Sequence, residues 1–276
     1  MTQQSSPTTL VFTTGLKTPL RKKASAFIIL NPMAQLQRIA IAPSQFQQEQ
    51  ILLTPQQQHY LGRVLRLREG DRFIAMDGKG KWWLAQLQGE KAQVLEPLSV
   101  ETELTVSITL MVALPKGNGF DDVVRCCTEL GVGVIAPVVS DRTLLNPSPQ
   151  KLERWLRIAQ EAAEQSERAF VPTILEPVSF STCLATETTA HRYICEARGS
   201  YPHLREAIHQ VSTISEMMIA TGPEGGWTEK EVECAIHAGF QPVSLGRRIL
   251  RAVTAPIVAL SIVAAELESL DVKNVS

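Results

Sequence analysis

The run Met217-Met218-Ile219-Ala220-Thr221, breaking into Gly222-Pro223-Glu224-Gly225-Gly226-Trp227-Thr228, constrains the fold more than any other part of the chain. An apolar run of that length describes a buried strand. Gly225 and Gly226 let the backbone take φ > 0 or approach a ligand closely. Thr228 followed by Glu231 is a capping box, which predicts a helix starting there. Strand, glycine loop and helix in that order build many nucleotide sites. This is not a phosphate loop, because no Lys-Ser/Thr pair follows the glycines and Glu224 would repel a phosphate. The spacing also departs from the dinucleotide pattern G-x-G-x-x-G. A carboxylate in a glycine loop suits a ligand with hydroxyls, an amine or positive charge, and S-adenosylmethionine carries all three. A tight strand-to-helix turn without a ligand would select Gly and Pro as well.

Bulk composition narrows the setting. The 276 residues are 44% hydrophobic and 20% charged, an ordinary globular balance with room for two domains. The formal net charge is -1, so a nucleic-acid partner would have to be met by a local basic patch rather than a global field. Five Cys, with Cys126 and Cys127 adjacent, form neither a metal-ligand spacing nor a disulfide framework; no metal site is expected, and a reducing compartment is. No apolar run spans a bilayer. Val253 to Leu267 is the most apolar stretch, with Pro256 near its start and acids at its end, and reads as a buried helix. The N-terminus lacks Asp and Glu before Glu49 while carrying Lys17, Arg21, Lys22, Lys23 and Arg38. That resembles an organellar transit peptide. Pro19 and Pro32 interrupt any amphipathic helix, so residues 1–37 read instead as a disordered extension, or as an overlong start with the working start at Met33.

The rest divides in two. From Arg38 to about Pro97 the pattern is short and β-like. Arg72 to Met76 and Trp82 to Leu87 read as strands flanking the turn Asp77-Gly78-Lys79-Gly80, a hairpin signal, and close strand spacing predicts a small barrel. From Leu104 strands and helices alternate. Val106 to Leu114, Val134 to Val139, Arg192 to Cys195, Met217 to Ala220 and Pro242 to Leu245 read as strands. Phe120 to Leu130, stopped by Gly131, and Leu152 to Ala163 read as amphipathic helices. That alternation predicts an α/β domain with a mostly parallel sheet, whose ligands bind at the carboxyl ends of strands. A second loop, Leu245-Gly246-Arg247-Arg248-Ile249-Leu250-Arg251, also follows a short strand and ends near Thr254, read as the N-cap of the last helix. The two glycine loops are expected to share one cleft.

These residues reach a family. Gly222 to Trp227, Leu245 to Arg251, Thr128-Glu129-Leu130-Gly131-Val132 and Glu161-Ala162-Ala163-Glu164-Gln165-Ser166 resemble the bacterial 16S ribosomal RNA uridine-N3 methyltransferases of the SPOUT superfamily. Tyr60-Leu61-Gly62-Arg63-Val64-Leu65-Arg66-Leu67-Arg68-Glu69-Gly70-Asp71 resembles that family's PUA-like barrel. The likeness runs from Leu36 to Leu270. One departure stands out: where the family usually has Thr-Glu after the arginine matching Arg251, this chain has Ala252-Val253.

The resemblance implies a PUA-like β-barrel over 38–100 that binds RNA. It implies a knotted SPOUT-type α/β domain over 104–272, with a C-terminal trefoil knot. The implied reaction is S-adenosylmethionine-dependent methylation of N3 of one uridine in 16S ribosomal RNA, by a cytoplasmic homodimer with no membrane association. Thr221, Gly222, Pro223, Glu224, Gly225, Gly226, Leu245, Gly246, Ile249, Leu250 and Thr254 would then hold the cofactor. Arg251 is the first candidate for stabilising negative charge on the uracil carbonyls, and Arg168 the second. No His is placed as a general base. For RNA, Arg63, Arg66, Arg68, Arg72, Lys79 and Lys81 would track phosphates, with Tyr60 and at most one of the neighbours Trp82 and Trp83 free to stack. The alternatives are a ribose 2′-O-methyltransferase of the same superfamily and a non-catalytic ribosome assembly factor.

Overall fold

The computed structural model describes residues 36–143, 147–186, 191–211 and 214–274. The expected N-terminal extension lies outside the described residues, apart from its last two. Six short strands come first: β1 (Arg38–Ala40), β2 (Phe46–Gln47), β3 (Gln50–Leu52), β4 (Arg72–Met76), β5 (Trp82–Gln88) and β6 (Lys91–Leu98). They form one sheet in the order β1-β4-β5-β6-β3-β2, antiparallel except where β1 runs parallel to β4. The sheet curls around Ile39, Ile51, Phe73, Ala85 and Leu87. Two glutamines clip its ends together. Gln57, in the short helix α1 (Pro55–His59), donates to Ala40 O at 2.9 Å, and Gln45 donates to Leu52 O at 2.6 Å. Side-chain amides thus satisfy edge carbonyls that a closed barrel would satisfy by a ladder.

The expected hairpin is present, but its tip is not a free finger. Gly80 N donates to Ala169 O and Val171 N to Gly78 O, both at 3.0 Å, so the turn docks on the chain after the long helix. Gly78 and Gly80 have φ of +66° and +99°, and a Cβ on either would strike Val171 or Phe170 at 2.8 or 2.7 Å. Trp82 is buried against Ile74, Met76 and Ala163, at the seam between barrel and second domain. Trp83 is half-buried, with its ring centroid 4.6 Å from that of Phe46. Neither indole is a free stacking platform. Tyr60 likewise packs on the barrel core.

The second domain contains β7 (Ser107–Ala113), α2 (Gly119–Glu129), β8 (Val134–Val139), α3 (Pro149–Gln165), β9 (Thr173–Ile174), β10 (Val178–Ser179), α4 (Phe180–Thr186), β11 (His191–Cys195), α5 (Leu204–His209), β12 (Glu216–Thr221), α6 (Glu229–His237), β13 (Gln241–Val243) and α7 (Thr254–Asn274). The strand order is β10-β8-β7-β12-β11-β13, with β9 also beside β8, and every neighbouring pair is parallel. Helices cover both faces. In β12, Met217 and Ile219 face the cluster of Phe120, Trp155, Leu204 and Leu260, while Met218 and Ala220 face Phe180, Trp227 and Phe240. Burial on both sides is why β12 reads as an unbroken apolar run.

One segment fastens the two domains. Glu164, near the end of α3, accepts a hydrogen bond from Ala40 N of β1 at 2.8 Å. Glu167 pairs with Arg38 at 2.8 Å, and the Arg38 guanidinium lies 5.4 Å from the centroid of Trp82. Arg168 is 4% exposed and spent on structure. Its Nε and Nη2 bind Glu103 at 3.1 and 2.5 Å, and its Nη1 donates to Thr128 O and Val132 O at 3.0 and 2.8 Å. This corrects the expectation that Arg168 is a catalytic candidate. Its donors tie the Thr128–Val132 turn and Glu103 to the end of α3, and its buried side chain is not part of the lining of the candidate cleft.

Burial raises the Glu164 pKa above its ordinary value. The folded state therefore binds a proton more tightly than the unfolded chain, and stability rises as pH falls through the folded-state pKa. Glu164→Gln keeps an acceptor for Ala40 N without a buried charge. It should flatten that rise between neutral pH and about pH 4, and leave neutral-pH stability equal or higher. Glu164→Ala strands the Ala40 N–H and should cost about 1–3 kcal/mol across the range. Urea unfolding of both variants from acid to neutral pH checks the pair; a Gln variant that is strongly destabilised at neutral pH contradicts it.

Candidate active site

Parallel strands all point one way, so the loops after neighbouring strands gather at one edge of the sheet. Strand β11 lies between β12 and β13. The two glycine loops are therefore separated by a third strand end, Cys195-Glu196-Ala197-Arg198, which completes the cleft. The two loops share one cleft as expected, and the third strand end is an addition that follows from strand order, which a single sequence does not carry. The lining comprises Gly222 to Trp227, Leu245, Gly246, Arg248, Ile249, Leu250, Ala252 and Ala255, with Cys195 to Arg198 and Arg142. The space is about 810 Å³ including its open mouth, within the usual span of small-ligand clefts.

Gly222, Pro223, Glu224, Gly225, Gly226, Leu245, Gly246, Ile249 and Leu250, the cofactor-binding candidates of the sequence, line this cleft. Thr221 does not: it is fully buried at the end of β12, with its hydroxyl 3.5 Å from Met111 O. Thr254 is also outside the lining. It is the first residue of α7 rather than its N-cap, and its N–H donates to Arg251 O at 2.9 Å.

The glycine loop is held from several directions. Gly226 N donates to Pro223 O at 2.9 Å, and Gly226 has a φ of +70°. Arg142, from the turn after β8, donates to Gly225 O at 2.6 Å and Trp227 O at 3.3 Å. Glu224 Oε1 accepts from Lys116 N at 2.9 Å, tying the loop to the end of β7. The capping box forms as expected. Thr228 Oγ1 accepts from Glu231 N at 3.2 Å and Glu231 Oε2 from Thr228 N at 2.8 Å. Glu231 also accepts from Asp141 N at 2.9 Å, which braces the turn carrying Arg142. Arg142 was missed by sequence reading because its partners are main-chain carbonyls more than 80 residues away, which no spacing reveals.

The second loop turns at Gly246, whose φ of +118° suits glycine, with its N–H donating to Ser244 Oγ at 3.1 Å. Ala252 is buried in the cleft wall. Val253 packs on the main core, and its Cγ2 occupies the place where a Cβ on Gly119 would sit, at 2.6 Å. The Ala252-Val253 departure is thus an apolar brace under the loop. Arg251 is exposed, and no ion pair engages it among the described residues; its flanking Leu250 and Ala252 line the cleft, and its own side chain does not. Ile249 is 74% exposed beside it.

The cleft chemistry is mixed. Glu196 and Glu224 supply negative charge, and Arg142, Arg198 and Arg248 positive. Burial pushes the Cys195 thiol up to about 12, so it stays protonated and is a poor nucleophile beside an electrophilic ligand. No group of side chains suited to a metal occurs among the described residues. A floor of glycines with two carboxylates in the lining fits an adenosyl group, whose ribose hydroxyls donate hydrogen bonds. Away from the cleft, Arg63, Arg66, Arg68, Arg72, Lys79 and Lys81 are all exposed, and no ion pair engages them among the described residues.

Comparison with known proteins agrees with this arrangement. Residues 102–264 match the model of an RNA methyltransferase domain, and 53–95 that of an RNA methyltransferase PUA domain. The chain is 46% identical over 261 residues to ribosomal RNA small subunit methyltransferase E of Synechocystis sp., covering 92% of this chain and 84% of that one. It resembles the crystal structure of ribosomal RNA small subunit methyltransferase E from Neisseria gonorrhoeae bound to S-adenosyl methionine, with a TM-score of 0.75 and 30% identity, over 85% of this chain and 98% of that one. A putative methyltransferase from Legionella pneumophila in complex with the same cofactor gives a TM-score of 0.75 and 26% identity, over 84% and 98%.

A Cβ on Gly225 would meet Arg142 Cδ at 3.0 Å, so a branched side chain there displaces the clamp and enters the cleft. Gly225→Val should abolish S-adenosylmethionine binding while thermal unfolding stays cooperative. Undiminished calorimetric binding in the folded variant would take the glycine loop out of the site.

Proposed function

Because the chain belongs to the RNA methyltransferase family whose domain spans residues 102–264, we propose that it transfers the methyl group of S-adenosylmethionine to N3 of one uridine in the 16S ribosomal RNA of the small subunit. The observation that carries this reading is the glycine-floored cleft at the ends of β12, β11 and β13, in a chain that shares its fold with cofactor-bound relatives. The cofactor supplies an electrophilic methyl on a positively charged sulfur. The protein's residues then have to orient the reactants and manage the proton of uracil N3, and most of the acceleration comes from alignment.

Gly222 to Gly226 and Leu245 to Leu250 offer main-chain donors and acceptors to the adenosyl group, and Arg142 holds the first loop's carbonyls in place. Arg251 is the residue assigned to stabilise negative charge on the uracil carbonyls as N3 gives up its proton. The barrel over 38–100, followed by the methyltransferase domain over 104–272, supplies RNA affinity through Arg63, Arg66, Arg68, Arg72, Lys79 and Lys81. The protein acts in the cytoplasm as a homodimer, and the C-terminal segment is knotted. What supports the dimer is exposed Ile249 beside the cleft and half-exposed Ile257, Val258 and Ile262 along α7. No helix among the described residues is long and apolar enough to cross a membrane. Packing of Val253 against the core supports a loop held without the family's usual Thr-Glu pair. Mapping the small-subunit RNA position that loses its methyl when the gene is deleted tests the reading; an unchanged methylation pattern refutes it.

Arg251→Lys keeps the charge but loses the planar fork that can hold two oxygens. Turnover should fall about ten- to a thousandfold, with cofactor affinity little changed and partial recovery at high pH as uracil ionises more readily. Single-turnover rates against pH decide it, and a parental rate removes Arg251 from the chemistry.

The RNA surface has its own expected outcome. Changing both Arg66 and Arg68 to Glu should weaken RNA binding and flatten its salt dependence, because fewer counterions are released. Cofactor binding should be untouched. An unaltered salt slope marks the patch as solvated surface only.

A further inference from the structure

Strand β11 is the middle of the three strands whose ends form the cleft, so the residue just past it stands between the two glycine loops. That residue is Glu196. Its N–H donates to Val243 O at 2.9 Å, continuing the β11–β13 ladder by one step. At the far end of the same loop, Ser244 N donates to Pro202 O and Leu204 N to Ser244 O, both at 2.9 Å. The loop is therefore stapled to β13 at both ends. Glu196 is half-buried, and its Oε1 accepts from Arg198 N at 2.8 Å. Its Oε2 has no hydrogen-bond partner among the described residues. The other carboxylate of the cleft, Glu224, already braces the chain at Lys116. Glu196 thus offers a fixed acceptor to whatever lies between the loops.

Three parts of S-adenosylmethionine could meet a carboxylate: the sulfonium, the ammonium and the ribose diol. A carboxylate at the sulfur would stabilise the ground state more than the transition state, because the positive charge disappears as the methyl leaves. That would slow the reaction. The vicinal hydroxyls present adjacent donors, and a carboxylate accepts only. Acidic residues past a neighbouring strand serve ribose hydroxyls in other parallel-sheet nucleotide sites.

Resting on the methyl-transfer reading above, we propose that Glu196 is a cofactor-binding residue whose carboxylate accepts hydrogen bonds from the ribose hydroxyls. Calorimetric titration of the full chain with S-adenosylmethionine, S-adenosylhomocysteine, 5′-methylthioadenosine and its 2′-deoxy analogue tests it. Glu196→Ala should weaken the first three alike, by about 10- to 100-fold, the range for losing charge-assisted hydrogen bonds. Glu196→Gln keeps an oxygen for Arg198 N and should recover part of the loss. Removing the 2′-hydroxyl should cost the parent about tenfold and the Ala variant nothing, which a merely distorted loop would not produce. An equal deoxy penalty in both proteins overturns the proposal. So does a loss confined to the two ligands with an amino-acid tail, which would place Glu196 at the ammonium. A parent protein that binds no S-adenosylmethionine overturns the methyl-transfer reading itself, and the proposal with it.

Discussion

The site depends on three parallel strands ending side by side with β11 in the middle. Because β12, β11 and β13 share one direction, their following loops must leave the sheet at the same edge, and the cleft is the space between them. Main-chain groups in those loops still need partners, since buried unpaired N–H and C=O groups are costly. Here the partners come from distant chain: Arg142 on Gly225 O, the Glu224 carboxylate on Lys116 N, and Ser244 N on Pro202 O. Each brace also leaves the loop rigid before a ligand arrives. Rigidity is what alignment of a methyl donor and acceptor requires.

The same economy holds at the junction of the domains. Residues 163–171 carry Ala163 against Trp82, Glu164 to Ala40, Arg168 to Thr128 and Val132, and Ala169 and Val171 to the β4–β5 hairpin. The motif around Glu164 resembles a signature of methyltransferases, yet its contacts here are structural. It sets where the exposed basic residues of the barrel sit relative to the cleft. The glycines of the hairpin belong to this junction: they admit Val171 and Phe170 where any side chain would clash.

Much was legible locally. Thr228 and Glu231 form the capping box that their spacing announces, Gly131 ends α2 with a φ of +93°, and β8 occupies Val134–Val139 as the apolar run indicates. The hairpin strands and a mostly parallel sheet were also readable, because periodicity and turn chemistry are properties of neighbouring residues. The barrel's weaker strands β2 and β3 were not, being too short for a pattern to emerge from two or three residues.

By itself, the sequence determined the βα units, the glycine loops and the kind of ligand that the Glu224 carboxylate suits, since these follow from residues within one turn or strand. Only the tertiary structure decided that β11 separates the two loops and brings Glu196 into the cleft. It alone showed that Arg168 is buried in a brace rather than facing substrate, and that Trp82 seals a junction rather than stacking on RNA. The physical reason is common to all three. Strand order and side-chain partners are chosen by which distant surfaces exclude water together and satisfy each other's polar groups. That choice is a property of the packed whole, to which no single stretch of chain holds the key.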